Sequence, residues 1–324
     1  MEYKEKIVII IPAFNEELTI SKVITDFAQY LPEAHICAID NNSTDKTTDV
    51  ILKTFDELGI RNSKGIYLKE YKKGKANAVK KAIYNFEADI YIMIDADSTY
   101  DVSIIKRLIS PVINGEADMV VADRHTDGSY TSVNKRPFHN FGNNLTKKLI
   151  NFLYRSNLKD ILSGYRVFNK DFIDNYPILS KGFELETEIT LYALENGYVI
   201  KEIPSKYIER PENSVSKLNT VKDGYKVLRK IFTILKDYKP LFFFGSLSIV
   251  FLGVCLVLGI PIIFEYIRTG YVNRFPTAFL SMGLGILAFI FLTVALILNT
   301  FVNFDRKANE MSRKRNKRRI NQMN

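Results

Sequence analysis

The chain has 324 residues, of which 47% are hydrophobic, 12% aromatic and 25% charged. This composition supplies a core for one large α/β domain or two smaller ones and excludes a largely disordered chain. The net charge of +9 is no sign of nucleic-acid binding, because residues 1–221 carry 29 basic and 31 acidic residues and the excess lies entirely after them.

The first 221 residues alternate short apolar runs with polar segments of helical periodicity. Helical patterns also occur at about 138–155 and 184–196, before a strand-like stretch from Tyr198 to Tyr207. Such alternation is typical of parallel strands joined by crossover helices. We therefore predict a Rossmann-like α/β domain over residues 1–221. Its strands are predicted at Ile7 to Ile11, Ile36 to Ile39, Ile66 to Leu68, Ile90 to Ile94 and Met119 to Val121.

Two uncharged stretches near the C-terminus are long enough to cross a membrane. Leu241 to Phe264 and Phe275 to Phe304 contain 24 and 30 residues without a charge. At about 1.5 Å per residue, each covers a hydrocarbon core of about 30 Å. They predict two transmembrane helices over residues 241–304, with a short loop at about 265–275. The alternative is a buried helical hairpin in a soluble protein, although soluble helices average only about 11 residues.

Basic segments flank the two predicted membrane helices. Residues 222–240 place Val227 and Ile231 on one face and basic side chains on much of the rest, which predicts an amphipathic interfacial helix. Residues 305–324 form a basic tail with eight basic and two acidic residues. Both segments are more basic than the connecting loop, so we predict a multi-pass protein of the cell membrane with residues 1–221 and both termini in the cytoplasm. The expected partner of this charge is an anionic bilayer and not nucleic acid.

A pair of aspartates follows the fourth predicted strand. Asp95 and Asp97 are two residues apart, and side chains at positions i and i+2 of a strand project to the same side. Two such carboxylates can hold a hard cation such as Mg²⁺ or Mn²⁺, which would offset the charge of a diphosphate. The alternative is a turn-capping role. Carboxylates next to a buried strand are costly unless they bind something, which favours the cation.

The ends of the first two strands carry further polar motifs. No Gly-x-Gly-x-x-Gly follows the first strand and no Gly-x-x-x-x-Gly-Lys-Ser/Thr occurs in the chain, which disfavours dinucleotide oxidoreductases and P-loop enzymes. Instead the chain has Pro12-Ala13-Phe14-Asn15-Glu16, then Asp40-Asn41-Asn42-Ser43-Thr44-Asp45, then Asp95-Ala96-Asp97. This series resembles the nucleotide-sugar-binding half of inverting glycosyltransferases of the dolichyl-phosphate mannose synthase type.

The resemblance covers nearly the whole chain. It continues through Asp160-Ile161-Leu162-Ser163-Gly164-Tyr165-Arg166, through Arg210 with Ser214, Ser216 and Lys217, and into the two apolar stretches, which are similar to the C-terminal spans of bacterial polyprenyl-phosphate glycosyltransferases. It implies a GT-A type domain with a mixed, mostly parallel sheet. The implied activity is metal-dependent transfer of a hexose, with inversion, from a UDP- or GDP-sugar to a polyprenyl phosphate (undecaprenyl or dolichyl phosphate) in cell-envelope glycan synthesis.

The resemblance also assigns candidate site residues by position. It implies that Asp95 and Asp97 bind Mg²⁺ or Mn²⁺ and that Arg124 and Arg136 contact the acceptor phosphate, although both arginines could be ordinary surface cations. Asn41-Asn42 stands where Asp-Gly is usual and Ser98-Thr99 where Leu-Gln is common. These departures leave the base preference and one metal ligand open. The residues implied to bind the nucleotide sugar are Pro12, Ala13, Asn15, Glu16, Asp40, Asp95, Arg210, Ser216 and Lys217.

Three other functions remain open from the sequence. A glycosyltransferase that acts on a glycan or lipid hydroxyl needs a general base, for which Asp160 and Glu186 are the candidates. The segment from Ile94 to Thr99 also fits the pattern of haloacid-dehalogenase-type phosphatases, in which the first Asp lies on an early strand. The third alternative is a membrane-anchored binding protein without catalysis. The sequence does not determine the sugar, the prenyl chain length or whether the chain forms a homo-oligomer.

Overall fold

The computed structural model describes residues 6–61, 63–126, 137–178, 185–209, 229 and 231–323. The chain forms two compact units. The first, called the α/β unit below, contains Met1–Asp223 and Ser312–Asn324, and the second, called the apolar unit, contains Gly224–Met311.

One seven-stranded sheet is the centre of the α/β unit, with strand order β3-β2-β1-β4-β6-β5-β7. β6 runs antiparallel to its neighbours β4 and β5, and the other neighbouring pairs are parallel. The predicted mixed, mostly parallel sheet is thus confirmed. The strands are β1 (Ile7–Ala13), β2 (His35–Asp40), β3 (Gly65–Lys69), β4 (Ile90–Met93), β5 (Met119–Asp123), β6 (Arg166–Asn169) and β7 (Ile200–Pro204).

Helices connect the strands, and two of them match the helical patterns predicted late in the domain. A short 3₁₀ turn at Val102–Ile104 precedes the fourth helix. The helices of the α/β unit are α1 (Ile20–Tyr30), α2 (Thr47–Glu57), α3 (Lys75–Asn85), α4 (Ile105–Ile113), α5 (Pro137–Tyr154), α6 (Lys170–Asn175) and α7 (Leu185–Glu195).

The core consists of two apolar layers, one on each face of the sheet. In β1, Ile7, Ile9 and Ile11 belong to one layer, while Val8 and Ile10 belong to the other. A strand buried on both faces needs apolar residues at every position, which explains the uninterrupted run that made β1 recognisable in the sequence.

The strand order reverses between β1 and β4. β2 pairs with one side of β1 and β4 with the other, in parallel, and the backbone N–H of Ile94 still donates to the carbonyl of Ile10 at 3.1 Å. In open α/β sheets, ligands bind beyond the carboxyl ends of the strands at such a reversal. The residues after Ala13 and those from Asp95 onward therefore border the expected crevice.

The apolar unit contains two helices long and apolar enough to cross a membrane, α8 (Pro240–Thr269) and the first part of α9 (Phe275–Met323). Only 11% and 17% of their most apolar stretches are buried, which argues against a hairpin in a soluble core. Ser281 Oγ donates to the carbonyl of Cys255 at 3.0 Å, and Ser248 Oγ to that of Ala288 at 2.7 Å.

The bounds of the C-terminal segments differ from those predicted. Gly270, with φ 72°, ends α8, so the loop is shorter than the predicted 265–275. α9 continues to Met323, so the basic segment 305–323 is helical. Of the predicted amphipathic helix at 222–240, residues 229 and 231–238 are helical, and residues 222–228 and 230 lie outside the described chain.

Candidate functional site

The loops that follow β1 and β2 are joined by hydrogen bonds. Asn15 has a left-handed backbone (φ 53°), which asparagine tolerates better than most residues. Its backbone N–H donates to Ser43 Oγ at 3.0 Å, and its Oδ1 accepts from the N–H of Thr44 at 2.8 Å. Two motifs that lie 28 residues apart in the chain therefore meet at the carboxyl end of the sheet.

Asp40 closes the end of β2 from a buried position. Its Oδ1 accepts from the backbone N–H of Ser43 at 3.0 Å, and its Oδ2 accepts from the Thr48 hydroxyl at 3.1 Å. Lys69 Nζ lies 3.9 Å from Oδ2. These partners compensate the cost of burying the carboxylate and fix the loop around it.

The remaining residues of the first motif lie beside this loop. Pro12 and Ala13 are the last residues of β1 and are buried. The backbone N–H of Glu16 donates to Thr47 Oγ1 at 2.9 Å, at the start of α2. The structure thus brings the five described residues predicted for nucleotide binding at β1 and β2 to one edge of the sheet.

The structure explains why Asn41 and Asn42 stand where Asp-Gly is usual. The Nδ2 of Asn41 donates to the carbonyl of Lys72 at 2.8 Å, and its Oδ1 accepts from the N–H of Gly74 at 2.6 Å. The amide thereby holds the loop that leads to α3. This role needs a side chain with both a donor and an acceptor, which an aspartate carboxylate does not provide. Asn42 has φ 62°, a conformation in which asparagine substitutes for glycine.

Lys75, at the start of α3, links the aspartate pair to α7. Its ammonium forms hydrogen bonds and ion pairs with Asp95 and with Glu186, and the Lys75 and Glu186 side chains are 10% and 8% exposed. Burial lowers the pKa of Lys75, but the charges and hydrogen bonds of the two carboxylates outweigh it and raise that pKa above its ordinary value. Lys75 is therefore a fixed positive charge at this edge of the sheet.

Asp97 is held in place by Thr99, one of the two residues that depart from the usual Leu-Gln. Its Oδ1 accepts from the N–H of Thr99 at 3.2 Å and from the Thr99 hydroxyl at 2.6 Å. The intervening Ser98 has φ 58°. Thr99 thus holds the carboxylate of Asp97 in position, and the aspartate is 7% exposed.

The donor set of Asp95 and Asp97 suits a hard cation. Within the described ranges, no group of three His, Cys, Asp or Glu side chains could hold a metal ion by itself. Mg²⁺ is usually bound through one or two carboxylates, with phosphate oxygens and waters completing its shell. The pair therefore fits a cation that arrives with a diphosphate better than a metal held by protein ligands alone.

Arg124, just after β5, forms a two-pronged ion pair with Asp160. Its Nε donates to Asp160 Oδ2 at 2.7 Å and its Nη2 to Oδ1 at 2.9 Å. Burial raises the pKa of Asp160, but the charge and hydrogen bonds of Arg124 outweigh it and lower that pKa to about 2. The pair therefore stabilises the fold above about pH 4, and this contribution is lost as the pH falls toward about 2.

The turn from Asp160 to Gly164 is held from behind by Arg166. This arginine is fully buried and donates to the carbonyls of Ser163 and Ile161, each at 2.8 Å, and to Thr190 Oγ1 at 2.9 Å. Its part in the Asp160-to-Arg166 motif is thus structural, because it fixes the turn that carries Asp160 and Gly164.

Gly164 lies against Asp95, which explains why this position has no side chain. A Cβ there would lie 2.2 Å from Asp95 Oδ2 and 2.9 Å from Lys75 Nζ. Both are atoms at the ends of side chains, so they can move while the backbone stays in place.

We therefore expect Gly164→Ala to fold but to lose about 10²-fold in transfer rate, because a displacement of about 1 Å in a site has an effect of that size. Gly253→Ala, where nothing lies within 4 Å of the added Cβ, is the control and should keep wild-type activity. Rates and melting temperatures of both variants test this, and a fully active Gly164→Ala would contradict the role given to the Asp95 position.

The segment after β7 approaches the aspartate pair. The N–H of Ile208 donates to the carbonyl of Thr99 at 2.9 Å, and Tyr207 pairs with Tyr100. The guanidinium of Arg124 lies 5.8 Å from the ring centroid of Tyr100 and 6.0 Å from that of Tyr207. The predicted site residues that lie outside the described chain are Arg136, Arg210, Ser216 and Lys217.

Lys75 is the site residue that the sequence analysis missed. The signal was present, because Lys72-Lys73-Gly74-Lys75 closely follows the third strand, and the ends of parallel strands share one edge. Glu186 and Asp160 were expected as candidate bases, whereas each is bound to a cation here. The structure thus brings Asp95 and Glu186 together through Lys75, and Arg124 together with Asp160.

Comparison with known proteins agrees with this fold. The chain is 27% identical over 271 residues to glycosyltransferase AglJ of Haloferax volcanii, covering 82% of this chain and 84% of that protein. It is 25% identical over 225 residues to the polyprenol monophosphomannose synthase of Mycolicibacterium smegmatis, covering 66% of this chain and 82% of the relative.

The fold is also that of a solved glycosyltransferase structure. Glucosyl-3-phosphoglycerate synthase from Mycobacterium tuberculosis, solved with Mn²⁺, uridine diphosphate and phosphoglyceric acid, superposes with a TM-score of 0.54 at 16% identity over 72% of this chain and 78% of that one. The family described as glycosyl transferase family 2 matches residues 8–176, which include β1 from its second residue onward, β2, β4, Asp160 and the aspartate pair. The chain therefore belongs to glycosyl transferase family 2 and is a glycosyltransferase.

Proposed function

We propose that this glycosyltransferase moves a hexose, with inversion, from a UDP- or GDP-sugar to a polyprenyl phosphate at the cytoplasmic face of the cell membrane. The observation that carries the proposal is a single one. The β1 and β2 loops and the Asp95–Asp97 pair follow neighbouring strands at the carboxyl edge of the sheet, in a chain that also has two helices long enough to span a bilayer.

The donor site would lie between the two groups of loops. Asn15, Glu16 and Asp40, with the buried end of β1, would bind the nucleoside, and Asp95 and Asp97 would face the diphosphate. The structural relative solved with Mn²⁺ and uridine diphosphate supports a nucleotide sugar as donor. Asp95 and Asp97 would hold Mg²⁺ or Mn²⁺, which neutralises diphosphate charge as the nucleotide leaves.

The residues of the chain would share the work of stabilising the leaving group. Lys75 keeps a positive charge beside Asp95. Ile208 is hydrogen-bonded to Thr99, and we propose that Arg210, Ser216 and Lys217, which follow it in the sequence, bind the donor phosphates. A preorganised charge of this kind favours the transition state over the ground state.

The acceptor would contact Arg124 and Arg136. A phosphate monoester has a second pKa of about 6, so its oxygen is already deprotonated near neutral pH and needs no strong general base. Asp160, whose pKa is lowered to about 2, is a poor base but a good partner to orient Arg124. The enzyme must then align the acceptor oxygen with the anomeric carbon, opposite the leaving nucleotide.

The C-terminal helices would anchor the domain where its lipid acceptor lies. Arg313, which follows the apolar part of α9, forms an ion pair with Asp171 of the same α/β unit. This contact supports a hairpin whose two ends lie on one side of the membrane, and the basic residues around them support the cytoplasmic side. The division at residues 221, 240 and 304 is part of the same proposal.

Of the alternatives, transfer to a glycan or lipid hydroxyl is the second candidate. Glu186, 6% exposed and bound to Lys75 next to Asp95, is the carboxylate that this alternative would use as base. Family membership argues against the phosphatase, as does the position of Asp95 after the fourth strand in the chain.

The decisive experiment supplies the purified protein in detergent with undecaprenyl phosphate, Mg²⁺ or Mn²⁺ and a panel of UDP- and GDP-sugars. We expect mass spectrometry to find one hexose added to the lipid phosphate, with loss of product when EDTA removes the metal. Transfer to a lipid alcohol or glycan hydroxyl, with undecaprenyl phosphate left unmodified, would contradict the proposed acceptor.

A further inference from the structure

A binding site for a guanidinium is built into one edge of the α/β unit, away from the residues proposed for catalysis. It has three parts: the carboxylate of Asp171 in the first turn of α6, the carbonyl of Asn196 at the end of α7, and the ring of Tyr198 just before β7. Tyr198 is 4% exposed, and its ring packs against Phe172 with centroids 4.9 Å apart. The site therefore stands on the core and not on a loose loop.

The guanidinium of Arg313, on α9, occupies this site. Its Nε donates to Asp171 Oδ2 and its Nη1 to the carbonyl of Asn196, both at 3.2 Å. Its Cζ lies 3.9 Å from the centroid of the Tyr198 ring. The side chains of Arg313 and Asp171 are only 15% and 16% exposed, and residues 312–324 belong to the α/β unit.

The three contacts together suit a guanidinium better than the ammonium of lysine. A guanidinium donates from two nitrogens at fixed angles and stacks its plane on an aromatic ring. The hydrogen bond to Asn196 also places a positive charge at the C-terminus of α7, where it is favoured. Such contacts exceed the small contribution of an exposed ion pair, because they are largely withdrawn from water.

We propose that the surface formed by Asp171, Asn196 and Tyr198 is a docking site for the chain's own C-terminal helix. Arg313 is its specific ligand, so the helix from Ser312 onward is a structural element of the α/β unit. By sequence alone, Arg313 is one of eight basic residues in a tail expected to bind anionic lipid. Docking separates it from the others, and it does not depend on which sugar or acceptor the enzyme uses.

The test is hydrogen exchange on the full chain in nanodiscs of neutral lipid. Arg313→Ala should speed amide exchange in residues 170–176 and 193–200 by roughly three- to tenfold, as expected when charge-assisted hydrogen bonds and a stacked ring are lost. Arg313→Lys should speed exchange in the same two segments almost as much as Arg313→Ala does. Arg315→Ala, which removes the same charge from an exposed position two residues on, should leave both segments at the wild-type rate.

A reciprocal variant keeps the test decisive if Arg313→Ala folds poorly. Asp171→Asn should speed exchange in the C-terminal helix around residue 313, and wild-type protection should persist in nanodiscs that contain anionic lipid. The proposal is overturned if Arg313→Ala and Arg315→Ala give equal exchange in residues 170–176 and 193–200. It is also overturned if anionic lipid removes that protection in the wild type, since Arg313 would then be a lipid ligand.

Discussion

Replacing Asp97 with asparagine should lower the rate of sugar transfer by about 10²-fold or more while leaving the fold intact. The asparagine amide keeps an oxygen that accepts the two hydrogen bonds from Thr99, so the turn after β4 is preserved. It lacks the negative charge that a hard cation requires. A bound cation contributes several kcal/mol of charge stabilisation, and about 1.4 kcal/mol corresponds to tenfold in rate.

The chain offers a closely matched control for this variant. Asp101 accepts from the N–H and the hydroxyl of Ser103 at 3.0 and 2.6 Å, the same turn that Asp97 makes with Thr99. Asp101→Asn should therefore keep near wild-type activity. Mn²⁺ binding in the presence of UDP or GDP, measured by electron paramagnetic resonance, should be lost in Asp97→Asn and retained in Asp101→Asn. Normal Mn²⁺ binding and turnover by Asp97→Asn would refute the metal assignment.

Much of the fold follows from the sequence because the central strands are buried on both faces. β1 consists of seven buried residues, and such a run is recognisable without any knowledge of its neighbours. β6 (Arg166–Asn169) was missed, since four residues that begin with arginine and end with asparagine do not form an apolar run. The guanidinium of Arg166 is tolerated in the core because two backbone carbonyls and the Thr190 hydroxyl accept its hydrogen bonds.

The candidate site was predictable where it depends on strand ends and unpredictable where it depends on tertiary pairing. Parallel strands share one edge, so Asn15, Asp40 and Asp95 could be expected together from their places after strands. The contact between Lys75 and Glu186 joins residues 111 positions apart, and no local pattern encodes it. The pairing of Arg124 with Asp160 is likewise a tertiary fact, and it changes how variants of these residues must be interpreted.

Asp160→Asn should reduce transfer by about 10²-fold even though Asp160 is not a base. The substitution removes the charge of a carboxylate whose two oxygens both accept from the Arg124 guanidinium. A misplaced guanidinium would no longer contact the acceptor phosphate. Low activity of this variant alone therefore does not distinguish a base from a positioning residue. The pH profile does: a carboxylate with a pKa of about 2 stays ionised throughout the neutral range, so wild type and variant should have profiles of the same shape.

A double-mutant cycle with Arg124→Ala completes the test. Arg124→Ala leaves the buried Asp160 carboxylate with only two backbone N–H donors and His125 Nε2 at 3.9 Å, which should destabilise the fold by up to about 3–5 kcal/mol. Adding Asp160→Asn removes that charge, so the double variant should be more stable than Arg124→Ala and no less active, because Asp160 acts only through Arg124. If Asp160 were a general base, its loss would instead cost a further ~10² to 10⁴ in rate in the Arg124→Ala background.

Glu186→Gln should lose less than about tenfold in transfer rate if the acceptor arrives deprotonated, because its amide oxygen can still accept a hydrogen bond from Lys75. An inactive Glu186→Gln variant with normal Mn²⁺ binding would instead favour a hydroxyl acceptor.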